Sequence, residues 1–303
     1  MIKTPHYLKK GATIGITCPA GYMQREKAQA CIDSLQQWGF QVMVGKTLGS
    51  ASDNYFAGTD TERLNELQAM LDNEEIQAIL FGRGGYGLGR IIDQLDFKQF
   101  KKHPKWLIGY SDITVLHTHV HRNCKIATLH APMAAAFNDG LKDNMYLASL
   151  HKAITGKKNK YKCAPHPLNR KGTATGELVG GNLTLLAHVT GTASDISTKN
   201  KILFIEDIGE LVYSTDRMLY QLLRSGKLSQ LAGLVVGSFT DTKDTERPFG
   251  KTVYQAISEI VAEFNYPVCF GFPVGHCKQN VALKSGAACQ LKITAQSAYL
   301  LEL

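Results

Sequence analysis

The chain has 303 residues, 44% hydrophobic and 20% charged, enough for two ordinary domains that each bury a core. The longest apolar runs, such as Ile202-Leu203-Phe204-Ile205, are strand-sized and fall far short of the roughly 20 residues of a membrane helix, so no membrane partner is expected. The formal charge is +8, but the basic residues are scattered, which excludes a nucleic-acid footprint and suits a small anionic substrate.

Taken in order, the opening residues Met1-Ile2-Lys3-Thr4-Pro5-His6 contain no apolar signal core, and a cytoplasmic location is expected. Residues 12–18 read as a strand and 24–38 as a helix with Cys31, Ile32, Leu35 and Trp38 on one side, ended by Gly39. A strand at 40–44, a helix near 61–71 with Leu64, Leu67 and Leu71 at helical spacing, and a strand at 76–81 follow. Residues 105–108 are a short buried strand, Gly109-Tyr110-Ser111 a sharp turn, and Asp112 the start of a helix; 126–129 is a further strand. This alternation implies a parallel sheet with helices on both faces and a ligand site outside the carboxyl ends of its strands.

Residues 137–175 break the rhythm around one helix near 143–155, and the cluster Lys157-Lys158-Asn159-Lys160-Tyr161-Lys162 reads as a solvated connection. The expected division is therefore 1–155, a linker at 156–172, and a second α/β domain at 173–303. That domain reads as a strand near 174–179, the turn Gly180-Gly181-Asn182 and a helix through His188. A strand at 201–206, an amphipathic helix at 214–224, a strand at 231–237, a helix at 251–264 and several short strands complete it. Seven cysteines, at 18, 31, 124, 163, 269, 277 and 289, are odd in number and lack paired close spacing, which fits reduced thiols better than a disulfide framework or a zinc site.

The stretch Leu107-Ile108-Gly109-Tyr110-Ser111-Asp112 has the layout of a nucleophile elbow, in which a serine on a tight strand-to-helix turn projects its Oγ above the sheet. The turn is Gly-x-Ser-x-Ile, without the second glycine of that motif, and an N-cap is the plainer use of such a serine. Gly82-Arg83-Gly84-Gly85-Tyr86-Gly87 satisfies the dinucleotide pattern G-x-G-x-x-G, but it follows the third strand and no acidic residue closes the next one. Its glycines equally suit close backbone approach to a substrate carbonyl.

Glu206 closes an apolar strand, where a carboxylate is positioned without being freely solvated; Asp207 and Glu210 are its rivals. His276 lies in a glycine-flanked loop, and His130, at a strand end, is the second candidate base. His117, His119 and His121 alternate in one helix without the glutamate of H-E-x-x-H, so no metal is expected there. Cys277 beside His276 is discounted as a nucleophile because neighbouring side chains of an extended loop point apart.

Seven stretches together resemble the LD-carboxypeptidases, or muramoyltetrapeptide carboxypeptidases, serine peptidases that include the microcin C self-immunity enzymes. They are Gly15-Ile16-Thr17-Cys18-Pro19-Ala20-Gly21, Gly82 to Gly87, Ile108 to Asp112, His130-Ala131-Pro132-Met133, Gly180-Gly181-Asn182-Leu183, Phe204-Ile205-Glu206-Asp207 and Gly275-His276, in family order. Cys18 departs from the small or hydroxyl residue expected there. The resemblance implies a flavodoxin-like N-terminal domain, a C-terminal α/β domain and an active site between them. It implies Ser111 as nucleophile, Glu206 as orienting acid and His276 as base, with the Gly85 and Asp112 N–H groups as oxyanion hole. Arg83, Gly84 and Asn182 are the expected substrate-binding residues, with no cofactor, and a homodimer is allowed. The implied reaction releases terminal D-alanine from murein tetrapeptides. Its alternatives are a self-immunity amidase acting on a peptidyl adenylate mimic and a non-catalytic nucleotide- or sugar-binding α/β protein.

Overall fold

The computed structural model describes residues 2–140 and 144–303. The chain forms two compact units, Met1–Lys157 with Val281–Lys284, and Lys158–Asn280 with Ser285–Leu303. In order, the first unit contains β1 (Thr13–Thr17), α1 (Gln29–Gln37), β2 (Gln41–Val44), α2 (Asp60–Asp72), β3 (Ile76–Phe81) and α3 (Lys98–Lys102). It continues with β4 (Trp106–Gly109), α4 (Thr114–Cys124), β5 (Thr128–His130) and α5 (Met145–Ile154). The second contains β6 (Lys160–Cys163), β7 (Gly172–Asn182), α6 (Leu183–His188), β8 (Lys201–Ile208), α7 (Val212–Arg224), β9 (Gly233–Thr240), α8 (Val253–Ile260) and β10 (Val268–Cys269). The last strands are β11 (Leu283–Ser285), β12 (Ala288–Ile293) and β13 (Ala298–Glu302).

The first sheet has the order β11-β5-β4-β3-β1-β2, and its pairings from β2 through β5 are parallel. The run 2-1-3-4-5 is the flavodoxin-like order, in which β1 and β3 flank the switch point. Side chains alternate across it as the pleat requires. Ile14, Ile16, Leu80, Trp106 and Ile108 face Cys31 and Leu35 of α1 and Leu147 and Leu150 of α5. Gly15 faces the other way, where a Cβ would stand 3.1 Å from Met70 Sδ of α2, so helices cover both faces.

The second sheet runs β10-β9-β8-β7-β12-β13-β6, parallel from β10 to β7 and antiparallel from β12 to β6. Leu183 and Leu186 of α6, Leu219 and Leu222 of α7, and Ile257 and Ile260 of α8 pack on Val179, Leu203, Ile205, Leu234 and Val236. No helix among the described residues is long and apolar enough to cross a membrane.

Several elements differ from the sequence reading. The helix expected at 24–38 opens as a 3-10 turn, Arg25–Ala28, without a side-chain cap. The one expected near 143–155 is α5; its proposed start at Asp143 lies outside the described residues. The stretch 156–172, read as a linker, includes β6, and Val281–Lys284 belong with the first unit because β11 pairs beside β5.

Candidate active site

Three loops converge at the carboxyl ends of β1, β3 and β4. Ser111 follows β4 at φ +65°, a conformation that costs a non-glycine residue energy and persists only when its surroundings over-determine it. Those surroundings are specific. A Cβ on Gly109 would stand 2.9 Å from Ile113 and 3.1 Å from Phe81, so the turn closes only on glycine. The Gly109 carbonyl accepts the Ala131 N–H at 3.2 Å and the Nε2–H of His117 at 2.8 Å. Burial drives the pKa of His117 down to about 4, which keeps this ring neutral.

Gly84 lies against the serine: a Cβ there would be 2.9 Å from Ser111 Cβ and 3.1 Å from its Oγ. Bare backbone therefore reaches the nucleophile, and Gly85 continues the loop at φ +92°. The loop is fastened from behind. Gly21 N–H donates to Gly84 O at 2.9 Å, and Leu88 N–H donates to the Asp112 carboxylate at 2.9 Å. The fully buried Arg63 donates to Pro19 O at 2.6 Å and Gly87 O at 3.3 Å, pinning the β1 and β3 loops together. Gly87 leads into 3-10 turns at Leu88–Arg90 and Ile92–Gln94, not into an α-helix whose N-terminus could receive a pyrophosphate. The dinucleotide reading loses its physical basis there. Asp112, by contrast, is the second residue of the 3-10 turn Ser111–Ile113, and N–H groups at such a start have no intrahelical partner.

Asp112 itself is 1% exposed, and desolvation pushes its pKa from 3.8 up to about 6, with Leu88 N–H and Arg63 opposing. The folded protein thus binds this proton at higher pH than the unfolded chain. The cost of the buried charge is present above about pH 6 and is relieved as pH falls towards 4. Asp112→Asn keeps the backbone N–H and an oxygen for Leu88, so turnover is expected to persist. Its stability advantage should be largest above pH 7, on the order of 3 kcal/mol, and should vanish near pH 4. Thermal unfolding of both proteins across that range checks this; a gap independent of pH would refute it.

In the second unit, Glu206 is 0% exposed on β8, at the point where the β8–β9 register shifts between Ile205 and Asp207. Its Oε2 accepts the Nδ1–H of His276 at 2.7 Å and the backbone N–H of the same residue at 3.2 Å. Only glycine allows this closure. A Cβ on Gly275, at φ +108°, would lie 2.5 Å from both Cβ and Oε2 of Glu206. Gly275 N–H donates to Asn280 Oδ1 at 3.0 Å, Thr240 Oγ1 to His276 O at 3.0 Å, and Ser238 N–H to Val274 O at 2.9 Å, so the loop is fixed on three sides. With its proton on Nδ1, the imidazole carries its lone pair on Nε2, the tautomer of a general base.

The rival Asp207 has other work. Asp207 accepts from Asn182 Nδ2 at 2.7 Å, Thr184 N at 3.0 Å and Thr184 Oγ1 at 2.9 Å, tying the start of α6 to β8. Asn182, expected to touch substrate, is 3% exposed and engaged at both ends of its amide, accepting from Leu185 N at 3.2 Å and donating to Asp207. His130 is fully buried beside the Tyr110 ring, at 5.8 Å, and His119 stacks on Phe97 at 5.1 Å. Among the described residues no group of three or more His, Cys, Asp or Glu is placed to hold a metal. Cys18 is 0% exposed and its thiol, raised by burial to about 12, sits under Gly82. Arg83 is exposed, donates to Tyr22 O at 3.0 Å, and with Lys27, Tyr110 and Met133 lines a cavity of about 580 Å³ within the first unit.

A strained elbow serine on one α/β unit and a buried carboxylate–imidazole pair on another are the parts of a serine hydrolase. Residues 14–131 match the LD-carboxypeptidase N-terminal domain and 175–291 the LD-carboxypeptidase C-terminal domain. The "Probable murein peptide carboxypeptidase" of Bacillus subtilis is 38% identical over 300 residues, covering 98% of this chain and 93% of its own. The chain belongs to the LD-carboxypeptidase family. The murein tetrapeptide carboxypeptidase of Pseudomonas aeruginosa is 31% identical over 92% of each chain. Among solved structures, the muramoyltetrapeptide carboxypeptidase from Oxalobacter formigenes superimposes with a TM-score of 0.86 at 29% identity, over 96% of this chain and 99% of that one. The microcin C7 self-immunity protein MccF, in complex with aspartyl sulfamoyl adenosine, shares the fold with a TM-score of 0.87 at 21% identity, over 100% and 99% of the two chains.

Proposed function

We propose that this chain is a cytoplasmic carboxypeptidase of cell-wall recycling that hydrolyses the bond between the L-centre of a diamino acid and the terminal D-alanine of murein tetrapeptides. Ser111, His276 and Glu206 act as its triad. The observation that carries this reading is the elbow: Ser111 is forced to φ +65° with the bare backbone of Gly84 against it. His276 Nε2 takes the proton of Ser111 Oγ as the oxygen attacks the scissile carbonyl, and Glu206 stabilises the imidazolium through Nδ1–H. The N–H groups of Gly85 and Asp112 receive the developing oxyanion. His276 then gives its proton to the departing D-alanine nitrogen, and a water repeats the sequence on the acyl-enzyme. Incubation with a murein tetrapeptide, followed by mass spectrometry, should show one D-alanine released per peptide; an unchanged peptide would overturn the reading.

A carboxypeptidase must hold a terminal carboxylate, and an anion in a partly desolvated pocket requires N–H groups or a cation. The Gly84 backbone and Arg83 are assigned that part. Cleavage is expected for the tetrapeptide acid but at least 10²-fold less for its C-terminal amide or for a pentapeptide with one further D-alanine, because the carboxylate is then absent or displaced by a residue. Equal kcat/KM on all three would show that the terminal carboxylate is not read, and would favour an amidase.

A further inference from the structure

The second sheet begins at β10 and ends at β6, yet these outermost strands meet. Cys163 Sγ of β6 lies 3.7 Å from Cys269 Sγ of β10, 106 positions further along the chain. In a flat sheet the six intervening spacings of about 4.8 Å would hold the two edges roughly 29 Å apart. The sheet coils because β7 serves two partners, pairing through residues 172–177 with β12 and through 177–182 with β8. Backbone contacts hold the thiols in register. Arg170 N–H donates to Val268 O at 2.9 Å, Val268 N–H to Arg170 O at 3.2 Å, and Phe270 N–H to Asn169 Oδ1 at 2.7 Å. The connection leaving Cys163 is thereby pinned to the strand that bears Cys269.

We propose that Cys163 and Cys269 are a redox site, closing to a reversible disulfide on exposure to a hydroperoxide and slowing the enzyme. The two thiols are unequal. Cys163 is half-buried and Cys269 is 0% exposed. The hydrogen bond between the two sulfurs lowers the pKa of Cys163 and raises that of Cys269, which burial raises further. Cys163 is therefore the attacking sulfur and Cys269 the resolving one. The Cys163 thiolate attacks a peroxide oxygen; the S–O bond forms, the O–O bond breaks, and the leaving oxygen departs as water. The Cys269 sulfur then attacks the sulfenic sulfur, the S–O bond breaks, and its hydroxyl leaves with the Cys269 proton as a second water. Two thiols and one hydrogen peroxide give one disulfide and two waters.

Closing from 3.7 Å to the roughly 2.05 Å of a disulfide draws the edges together. Cys269 directly precedes Phe270 to Gly275, the segment that delivers His276. A shift of about 1 Å in a catalytic group can cost 10²-fold, and the hydrogen bonds of Phe272 and Val274 to β9 absorb part of it, so a loss of roughly tenfold in kcat is expected. The effect on turnover rests on the triad proposed above, whereas the bridge itself does not.

The test treats the full-length protein with hydrogen peroxide, alkylates remaining thiols, and follows proteolytic peptides and D-alanine release in parallel. The expected result is a peptide pair linked through Cys163 and Cys269, absent after dithiothreitol, with kcat falling and recovering alongside it. Cys163→Ser should keep the basal rate and lose the sensitivity. No linked pair, or a linked pair with kcat unchanged, overturns the proposal. So does equal peroxide inactivation of Cys163→Ser, which would place the oxidation elsewhere, with Cys277 beside His276 as the alternative target. An untreated protein that releases no D-alanine would sink the carboxypeptidase reading instead, and the linked peptides would still decide the bridge.

Discussion

Ser111→Ala is expected to give a folded protein whose kcat is lower by on the order of 10³ to 10⁶, the range seen when a triad nucleophile is removed. The substitution deletes one half-buried oxygen and leaves Gly109, Ile113 and the Gly84 contact in place, so packing changes little. Stability should shift by less than about 1 kcal/mol. Alanine also fits φ +65° poorly, and that strain is already present with serine. Release of D-alanine, measured with circular dichroism on the same samples, separates lost chemistry from lost fold. A variant keeping more than about a tenth of the activity would exclude Ser111 as the nucleophile.

Glu206→Gln is expected to be nearly as severe, with kcat reduced on the order of 10⁴, as when the orienting acid of a serine triad is replaced by its amide. Oε2 accepts two N–H groups from His276, at 2.7 and 3.2 Å. A glutamine that keeps the backbone bond presents either its oxygen or its NH₂ to Nδ1, and in the second arrangement the imidazole adopts the wrong tautomer. Neither arrangement supplies the negative charge that balances the imidazolium. Asp207→Asn should instead act on stability, because its carboxylate ties α6 to β8 through Asn182 and Thr184. Steady-state kinetics and thermal unfolding on both variants, with Glu210→Gln beside them, decide the assignment. A normal Glu206→Gln with a crippled Asp207→Asn or Glu210→Gln would name a different acid.

The strand-and-helix alternation of the first unit was legible because its signals are local: a period of two in 12–18, a short apolar run in 76–81, a helical period in 61–71, and glycine at the boundaries. Ser111, Glu206 and His276 stood at ends of apolar runs or just after a glycine. Arg63 was invisible for the opposite reason. It occupies a core position of α2, with Leu67, Met70 and Leu71, while Leu64 is only half-buried, so a periodicity reading prefers the leucine. The buried arginine is justified by the carbonyls of Pro19 and Gly87, which lie far off in sequence, together with the nearby Gly58 carbonyl and Asp60 carboxylate. Asn182 was placed at the substrate through the resemblance of Gly180-Gly181-Asn182-Leu183, and the structure also gives it the work of a helix cap. β6 escaped notice because its exposed Lys160 and Lys162 leave only Tyr161 and Cys163 to mark a strand.

The membership of β11 in the first sheet has a bearing on synthesis. Residues 283–285 complete the edge beside β5, although the other strands of that sheet are finished by His130. During translation that edge therefore stays open while more than 150 further residues emerge, which takes on the order of ten to thirty seconds. An exposed strand edge invites pairing with other chains. A fragment ending at the first unit's boundary would carry that exposed edge permanently, so three residues at 283–285 bear on the solubility of the first hundred and fifty.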